Sequence, residues 1–138
     1  AIFGETDITV MAAAVADYRP SEPATEKIKK KEETLTVKLM KTKDILQSLG
    51  DIKKEGQVLV GFALETGNSE AYAREKLTRK NADMIVLNSL SDAGAGFGLD
   101  TNKITIFEKN GQKFSFDIKP KQEVAKDIVD TIIRHYYA

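Results

Sequence analysis

Residues 57–88 read QVLVGFALETGNSEAYAREKLTRKNADMIVLN. The stretch opens and closes on short apolar runs, residues 57–62 and 83–88. Between them, residues 68–81 are charged and suit a helix, with Asn68 or Ser69 placed to cap its first turn. Strand, helix, strand is the unit that joins parallel strands through a crossover, and runs apolar on both faces suit strands covered on both sides. This segment therefore points to an α/β fold.

The pattern extends upstream. Residues 44–54 place Ile45, Leu49 and Ile52 at helical spacing, behind an Asp44 whose carboxylate suits a helix N-terminus. Before them, residues 7–14 (DITVMAAA) read as another buried strand. Residues 17–33 are irregular: they hold Pro20, Pro23 and the basic run Lys27-Ile28-Lys29-Lys30-Lys31. Residues 34–40 alternate, with Leu35, Val37 and Leu39 on one face, which predicts a half-buried strand.

Downstream, residues 89–101 form a glycine-rich loop. Residues 103–118 read as two alternating strands about Asn110-Gly111, a strong hairpin signal. Residues 121–137 close the chain as an amphipathic helix striped by Val124, Ile128, Ile132 and Tyr136. The expected fold class is α/β, a Rossmann-like parallel sheet flanked by helices. The hairpin and the 34–40 strand are expected to add an antiparallel layer or edge, at a dimer interface. There is no internal repeat. The opening AIFGETD reads as the end of a helix running into a strand, so the sequence is expected to enter its fold partway.

A chain of 138 residues fits one domain, 1–138, large enough to bury a core. Lys+Arg and Asp+Glu are both 21, which argues against a general nucleic-acid or membrane-surface binder. With no cysteine, disulfides, thiolate metal sites and cysteine nucleophiles are excluded. No apolar run reaches the roughly 20 residues of a membrane span, and no signal peptide is evident, so the default location is the cytoplasm.

In an open parallel sheet, ligands bind beyond the carboxyl ends of the strands. Residues 14–20, 62–67 and 88–100 converge there. The alanines Ala12, Ala13 and Ala14 at a strand end let a flat ligand approach the backbone. Asp17, just beyond, either caps a turn or meets a ribose hydroxyl or a phosphate-held metal. Phe62 is either a core aromatic or a stacking surface for a base. Lys76 and Lys80, four apart, with Arg79 beside them, are either a solvated helix face or a phosphate site. At an effective dielectric of 20, a close ammonium–phosphate pair is worth roughly 4 kcal/mol before desolvation. The basic arm around Lys27 is open to the same two readings.

The Gly94 to Gly98 stretch, GAGFG, is a poor dinucleotide loop because a hairpin, not a helix, follows it. The single histidine, His135, lies in the last helix, away from the converging segments. Without cysteine or a nearby histidine, the chemistry left is positioning and electrostatics, which suits phosphoryl or nucleotidyl transfer.

In order, the chain carries AAAVADYRP, EKIKK, KDIL, VGFALET, AREKLTRKNADMIVLN and GFGLDTN. Together these resemble the phosphopantothenoylcysteine synthetase domain of coenzyme A biosynthesis, over almost the whole chain from Asp7 onward. The resemblance implies a ligase that joins 4′-phosphopantothenate to L-cysteine. The substrate carboxylate attacks the α-phosphate of CTP (ATP in eukaryotic relatives) with magnesium present. Pyrophosphate leaves, and the cysteine amine then displaces CMP from the acyl-cytidylate. It also implies a homodimer, and in bacteria a fused or associated flavin-dependent decarboxylase.

Carried over residue by residue, Met11, Ala12, Ala13 and Ala14 match the backbone against the nucleotide, and Asp17 the nucleotide-site aspartate and candidate magnesium ligand. Lys27 matches the lysine that contacts the triphosphate and supports acyl-cytidylate formation. Lys43, Asp44, Ile45 and Leu46 match the segment beside the nucleotide, Phe62 the aromatic of the GFA motif, and Lys76 and Lys80 two nucleotide-site lysines. Lys43, Leu64 and Ser89 depart from the residues usual in the family, which are Pro, Ala and Asp.

The family's upstream glycine-rich segment, and the asparagine that converts the acyl-cytidylate, have no counterpart here. The chain is therefore expected to be the C-terminal, nucleotide-binding part of the synthetase domain. The alternative is a non-catalytic fragment that binds nucleotide and dimerises. A dinucleotide-dependent oxidoreductase predicts a G-x-G-x-x-G turn between strand and helix, and none is present.

Overall fold

The computed structural model describes residues 2–22, 24–28, 33–65, 69–89 and 100–137. After a single 3-10 turn (Ile2–Glu5), the elements in chain order are β1 (Ile8–Met11), β2 (Tyr18–Pro20), β3 (Leu39–Lys41), α1 (Ile45–Ile52), β4 (Val58–Glu65), α2 (Ser69–Arg79), β5 (Met84–Ser89), β6 (Thr101–Asn102), β7 (Ile104–Glu108), β8 (Lys113–Ser115), β9 (Lys119–Pro120) and α3 (Lys121–Tyr136).

The main sheet has the order β1-β4-β5-β7-β8. Its first three strands are parallel, with Ile8 opposite Val58 and Val60 opposite Met84. Both parallel crossovers move across the sheet in the same direction. Right-handed connections then put α1 and α2 on the same face, and the packing agrees. Ala63, Ile85, Leu87 and Phe107 pack on that face with Ala73, Leu77 and Ala82, and Leu46 of α1 lies against them. On the other face Val58, Val60, Met84, Val86, Ile104 and Ile106 meet Val124, Ile128 and Ile132 of α3. Each of these three α3 side chains contributes about 2 kcal/mol of apolar burial. The stripe read from the sequence is the buried face of α3, with Tyr136 half-buried at its end.

The hairpin forms about Asn110-Gly111. Gly111 has φ +92, and the Asn110 Oδ1 accepts the Gln112 N–H at 2.9 Å. It is no separate layer: β7 pairs antiparallel with β5, so the hairpin extends the main sheet to one edge and makes it mixed. A separate antiparallel ribbon does form, from β2 and β3, with Arg19 opposite Met40.

Two strand expectations are corrected. Strand β1 is an edge strand with Ile8 and Val10 exposed, not a buried one, and it stops at Met11, not residue 14: it pairs with β4 only through Gly61, beyond which β4 continues against β5 alone. The expected 34–40 strand begins only at Leu39, and Leu35, Val37 and Leu39 are all exposed. Their alternation is real, but among the described residues the only strand that pairs there is the short β2.

At the amino ends of the parallel strands, a buried pair locks the layers together. The Lys53 ammonium donates to both Asp83 carboxylate oxygens at 2.7 Å, and Asp83 Oδ2 also accepts the Leu59 N–H at 2.8 Å. The Tyr136 hydroxyl donates to the Asp83 carbonyl at 3.1 Å. Burial, with the Glu108 and Asp83 charges nearby, pushes the Tyr136 phenol well above its ordinary value. No helix among the described residues is long and apolar enough to cross a membrane.

Candidate ligand-binding cleft

At the opposite, carboxyl end of the parallel strands lies a cleft of about 650 Å³. Its floor starts where β1 leaves the sheet. Met11 ends the strand and Ala12, Ala13, Ala14 and Val15 follow it, the three alanines leaving room above the backbone. Phe62, Ala63 and Leu64 of β4 and Asn88 of β5 continue the floor. The rim comes from Asp17, from Thr42, Lys43 and Asp44, and from Ile45 and Leu46 in the first turn of α1, with Lys76 of α2 beside them.

Local hydrogen bonds hold these groups. The Thr42 N–H donates to the Asp17 carbonyl at 2.8 Å, and its hydroxyl to the Ala16 carbonyl at 2.6 Å. The loop after β1 is thereby tied to the loop before α1. The Lys76 ammonium donates to the Phe62 carbonyl at 2.8 Å, fixing α2 to the middle of β4. Asp44 caps α1, as its position in the sequence predicts: its Oδ1 accepts the Gln47 N–H at 2.9 Å. Partial burial pushes the Asp44 carboxyl up. Hydrogen bonds from Lys80 and from the Gln47 N–H, with the Lys80 and Lys76 charges, outweigh that and hold it below the ordinary carboxylate value.

Of the residues carried over from the sequence, the fold gathers all but two around this cleft. Lys80 is buried and paired with Asp44 at 2.5 Å, and does not line it. Lys27 is exposed and does not line it either. Phe62 does not end its strand, because β4 runs on to Glu65. It both packs on the α3-side core and lines the cleft. Asp17 caps no turn: among the described residues nothing hydrogen-bonds its carboxylate. Lys29 to Lys31, Gly94 to Gly98 and Asn68 lie outside the described residues.

The sequence reading assigns no site role to Thr42, Leu64 or Asn88, which line the cleft. Asn88 falls within a converging segment, but only the fold shows that its Oδ1 is buried and has no hydrogen-bond partner among the described residues. A buried amide oxygen without a partner among the described residues is uncommon.

Among the described residues no group of three His, Cys, Asp or Glu side chains stands close enough to hold a metal alone. A magnesium ion needs less from the protein: it keeps several waters and takes one or two carboxylates together with substrate phosphates. The exposed, unbonded Asp17 carboxylate fits that demand. His135 belongs elsewhere, 3.4 Å from Glu108 and against the Phe114 ring. A smaller depression of about 340 Å³ between β8 and α3 contains none of the carried-over residues.

Residues 1–136 match the family described as the DNA/pantothenate metabolism flavoprotein C-terminal domain. The chain is 50% identical, over 95% of its length and 36% of the relative's, to a cysteine/cysteine sulfinic acid decarboxylase from an unknown prokaryotic organism. It is 47% identical, over 95% of its length and 32% of the relative's, to the coenzyme A biosynthesis bifunctional protein CoaBC of Bacillus subtilis (strain 168). It spans about a third of the length of these curated relatives. Among solved structures, the C-terminal domain of a CoaBC protein superposes with a TM-score of 0.73 at 36% identity, covering 95% of this chain and 55% of that one.

Proposed function

The chain belongs to the DNA/pantothenate metabolism flavoprotein C-terminal domain family, and from that premise we propose that its cleft is the nucleotide site of a synthetase of coenzyme A biosynthesis. The reaction joins 4′-phosphopantothenate to L-cysteine. The pantothenate carboxylate oxygen attacks the α-phosphorus of CTP, and the bond to the bridging oxygen breaks as pyrophosphate leaves. The cysteine amine then attacks the acyl carbon, loses a proton, and CMP departs.

The observation that carries this reading is the cleft itself. It stands at the carboxyl ends of parallel strands, where such sheets bind ligands, and Ala12 to Ala14 form part of its floor. The nucleoside lies over Ala12 to Ala14, with the Phe62 ring as a flat apolar surface and Asn88 Oδ1 as an acceptor for a base or sugar donor. Lys43 and Lys76 face the phosphates from the rim, and Lys27 approaches them from its arm. Asp17 is the protein carboxylate that would hold a magnesium ion carried with the triphosphate, which would lower the charge that the attacking carboxylate meets.

The exposed ribbon of β2 and β3, with Leu39 and Met40 on its surface, is the face on which a homodimer forms, and a flavin-dependent decarboxylase accompanies the domain in the parent protein. A second reading, nucleotide binding without turnover, is favoured by one fact: Lys27 does not line the cleft.

Calorimetric titration with CTP and with ATP, magnesium present, tests the site. Saturable CTP binding with little ATP binding supports the CTP-dependent reading, and ATP preference moves the chain toward the eukaryotic-type reaction. Binding of neither, by this chain or by its full-length parent, overturns the nucleotide reading.

A further inference from the structure

Strand β8 is the edge of the main sheet opposite β1. The Phe116 N–H donates to the Ile104 carbonyl, and the Glu108 N–H to the Gln112 carbonyl. Between these two bonded pairs the antiparallel ladder alternates. Phe114 therefore bonds inward to Ile106, while Lys113 and Ser115 turn their N–H and C=O groups out of the sheet. No strand among the described residues takes them up. A lysine on an edge strand guards it against pairing. Here the Lys113 ammonium is drawn back toward α2: it is 2.5 Å from Glu70 and 5.6 Å from the centre of the Phe107 ring. The backbone of the edge is left open.

Along this edge, on the α3 face, runs the depression of about 340 Å³. The half-buried Phe114 and Phe116 form its apolar wall, and Asp127, Asp130 and Arg134 of α3 stand across from them. Both carboxylates are already matched, Asp127 by Lys119 at 2.7 Å and Asp130 by Lys126. The exposed Arg134 has no hydrogen-bond or ion-pair partner among the described residues. On the other face the Glu70 carboxylate is shared by two cations, Arg74 and Lys113. Each side of the open edge therefore keeps a positive charge in excess.

We propose that β8 and the depression beside it form a docking site for an extended, acidic segment of a protein partner, which adds a strand to the sheet. The Lys113 and Ser115 N–H groups donate to its carbonyls, and their C=O groups accept its amides. Side chains of an added strand alternate between faces. An apolar one beside Phe114 fills the depression, an acidic one two residues along meets Arg134, and those on the opposite face meet Lys113 and Arg74. Backbone bonds supply the affinity and the depression selects the sequence. None of these residues lines the cleft, so the inference stands or falls independently of the nucleotide reading.

The probe is a blocked peptide, acetyl-Glu-Val-Glu-Glu-Glu-amide, followed by amide NMR at low salt. It should shift the Lys113 and Ser115 resonances saturably and slow exchange of both amides. The same peptide N-methylated at alternate backbone nitrogens, or with lysine in place of glutamate, should do neither. Arg134→Gln should weaken binding about fivefold, the upper end for an exposed ion pair. Ser115→Pro removes an outward N–H and leaves the inner ladder intact; it should abolish binding and keep the melting temperature within about two degrees. Where it unfolds the chain, the N-methylated peptide carries the backbone comparison. Equal binding of the N-methylated and parent peptides means attraction by charge alone and overturns strand addition. Equal binding of the lysine peptide overturns the acidic partner. So does a shift of the same amides with protein concentration alone, which assigns the edge to a second copy. No shift at Lys113 and Ser115 overturns the site.

Discussion

Gly50 and Lys80 come so close that a Cβ on the glycine would sit 1.9 Å from the lysine carbonyl oxygen. Glycine inside a helix normally costs about 1 kcal/mol relative to alanine, so helix propensity alone favours Gly50→Ala. The contact reverses the sign. The atom met is backbone, with no rotamer to yield, and α1 must move off α2. Gly50→Ala should destabilise the fold by about 3 kcal/mol, the upper part of the overpacking range. Denaturant unfolding reads this, and a stabilised variant would show that the helices separate freely.

Gly61 offers the contrasting case. A Cβ there meets Leu46 Cδ2 at 2.6 Å, the flexible tip of a side chain that also lines the cleft. Gly61→Ala should cost only about 1 kcal/mol of stability, because Leu46 can turn aside. Turning aside moves it within the cleft wall, so CTP affinity should fall by more than stability does. Titration and thermal melting on the same sample separate the two effects.

The Asp44 carboxyl has a folded-state value below its ordinary 3.8. The folded state therefore binds fewer protons than the unfolded state as pH falls. The stability that Asp44 contributes is present above 3.8 and is lost as pH drops through that value and then through the lowered one. Asp44→Asn should flatten the stability–pH curve in that acid window and leave its neutral slope unchanged. Equal slopes for the two proteins below pH 4 would remove Asp44 from the acid response.

Tyr136 works with the opposite sign. Its phenol is raised by burial first, then by Glu108 and Asp83, so the folded state holds the proton more tightly than the unfolded state. Its contribution is intact below the ordinary value of 10.0 and is lost as pH climbs beyond it. Tyr136→Phe removes the hydrogen bond to the Asp83 carbonyl and should cost about 1 kcal/mol at neutral pH. An alkaline absorbance titration should show one tyrosine of the wild type ionising only as the protein unfolds.

Lys27→Gln should leave the melting temperature within a degree or so, as expected for an exposed substitution remote from the core. In the full-length parent it should abolish formation of the acyl-cytidylate. Normal turnover would return Lys27 to a solvated loop lysine.

The elements whose signals are local were legible in advance. Strict i, i+4 spacing of Val124, Ile128 and Ile132 marks the buried face of α3, Asp44 marks the start of α1, and Asn110-Gly111 marks the hairpin turn. The cleft was legible too, because topology places ligands beyond strand carboxyl ends and Ala12 to Ala14 leave space there. Where signals were equally local but the outcome was not, the reading failed. Leu35 and Val37 alternate like a strand yet pair with no strand among the described residues, whereas the hairpin takes the edge place expected of it, with β5 as a partner that only the fold names.

By itself, then, the sequence determined which segments coil or extend and which face of each is apolar, because propensity and periodicity are properties of neighbouring residues. Tertiary structure decided where β1 ends, which strand receives β7, and that Lys80 turns inward to Asp44 while Lys76 reaches Phe62. Two lysines four residues apart look alike along a chain. Their roles part because α1 and β4, brought in from distant sequence, set different oxygens against each ammonium, and only Lys80 is buried.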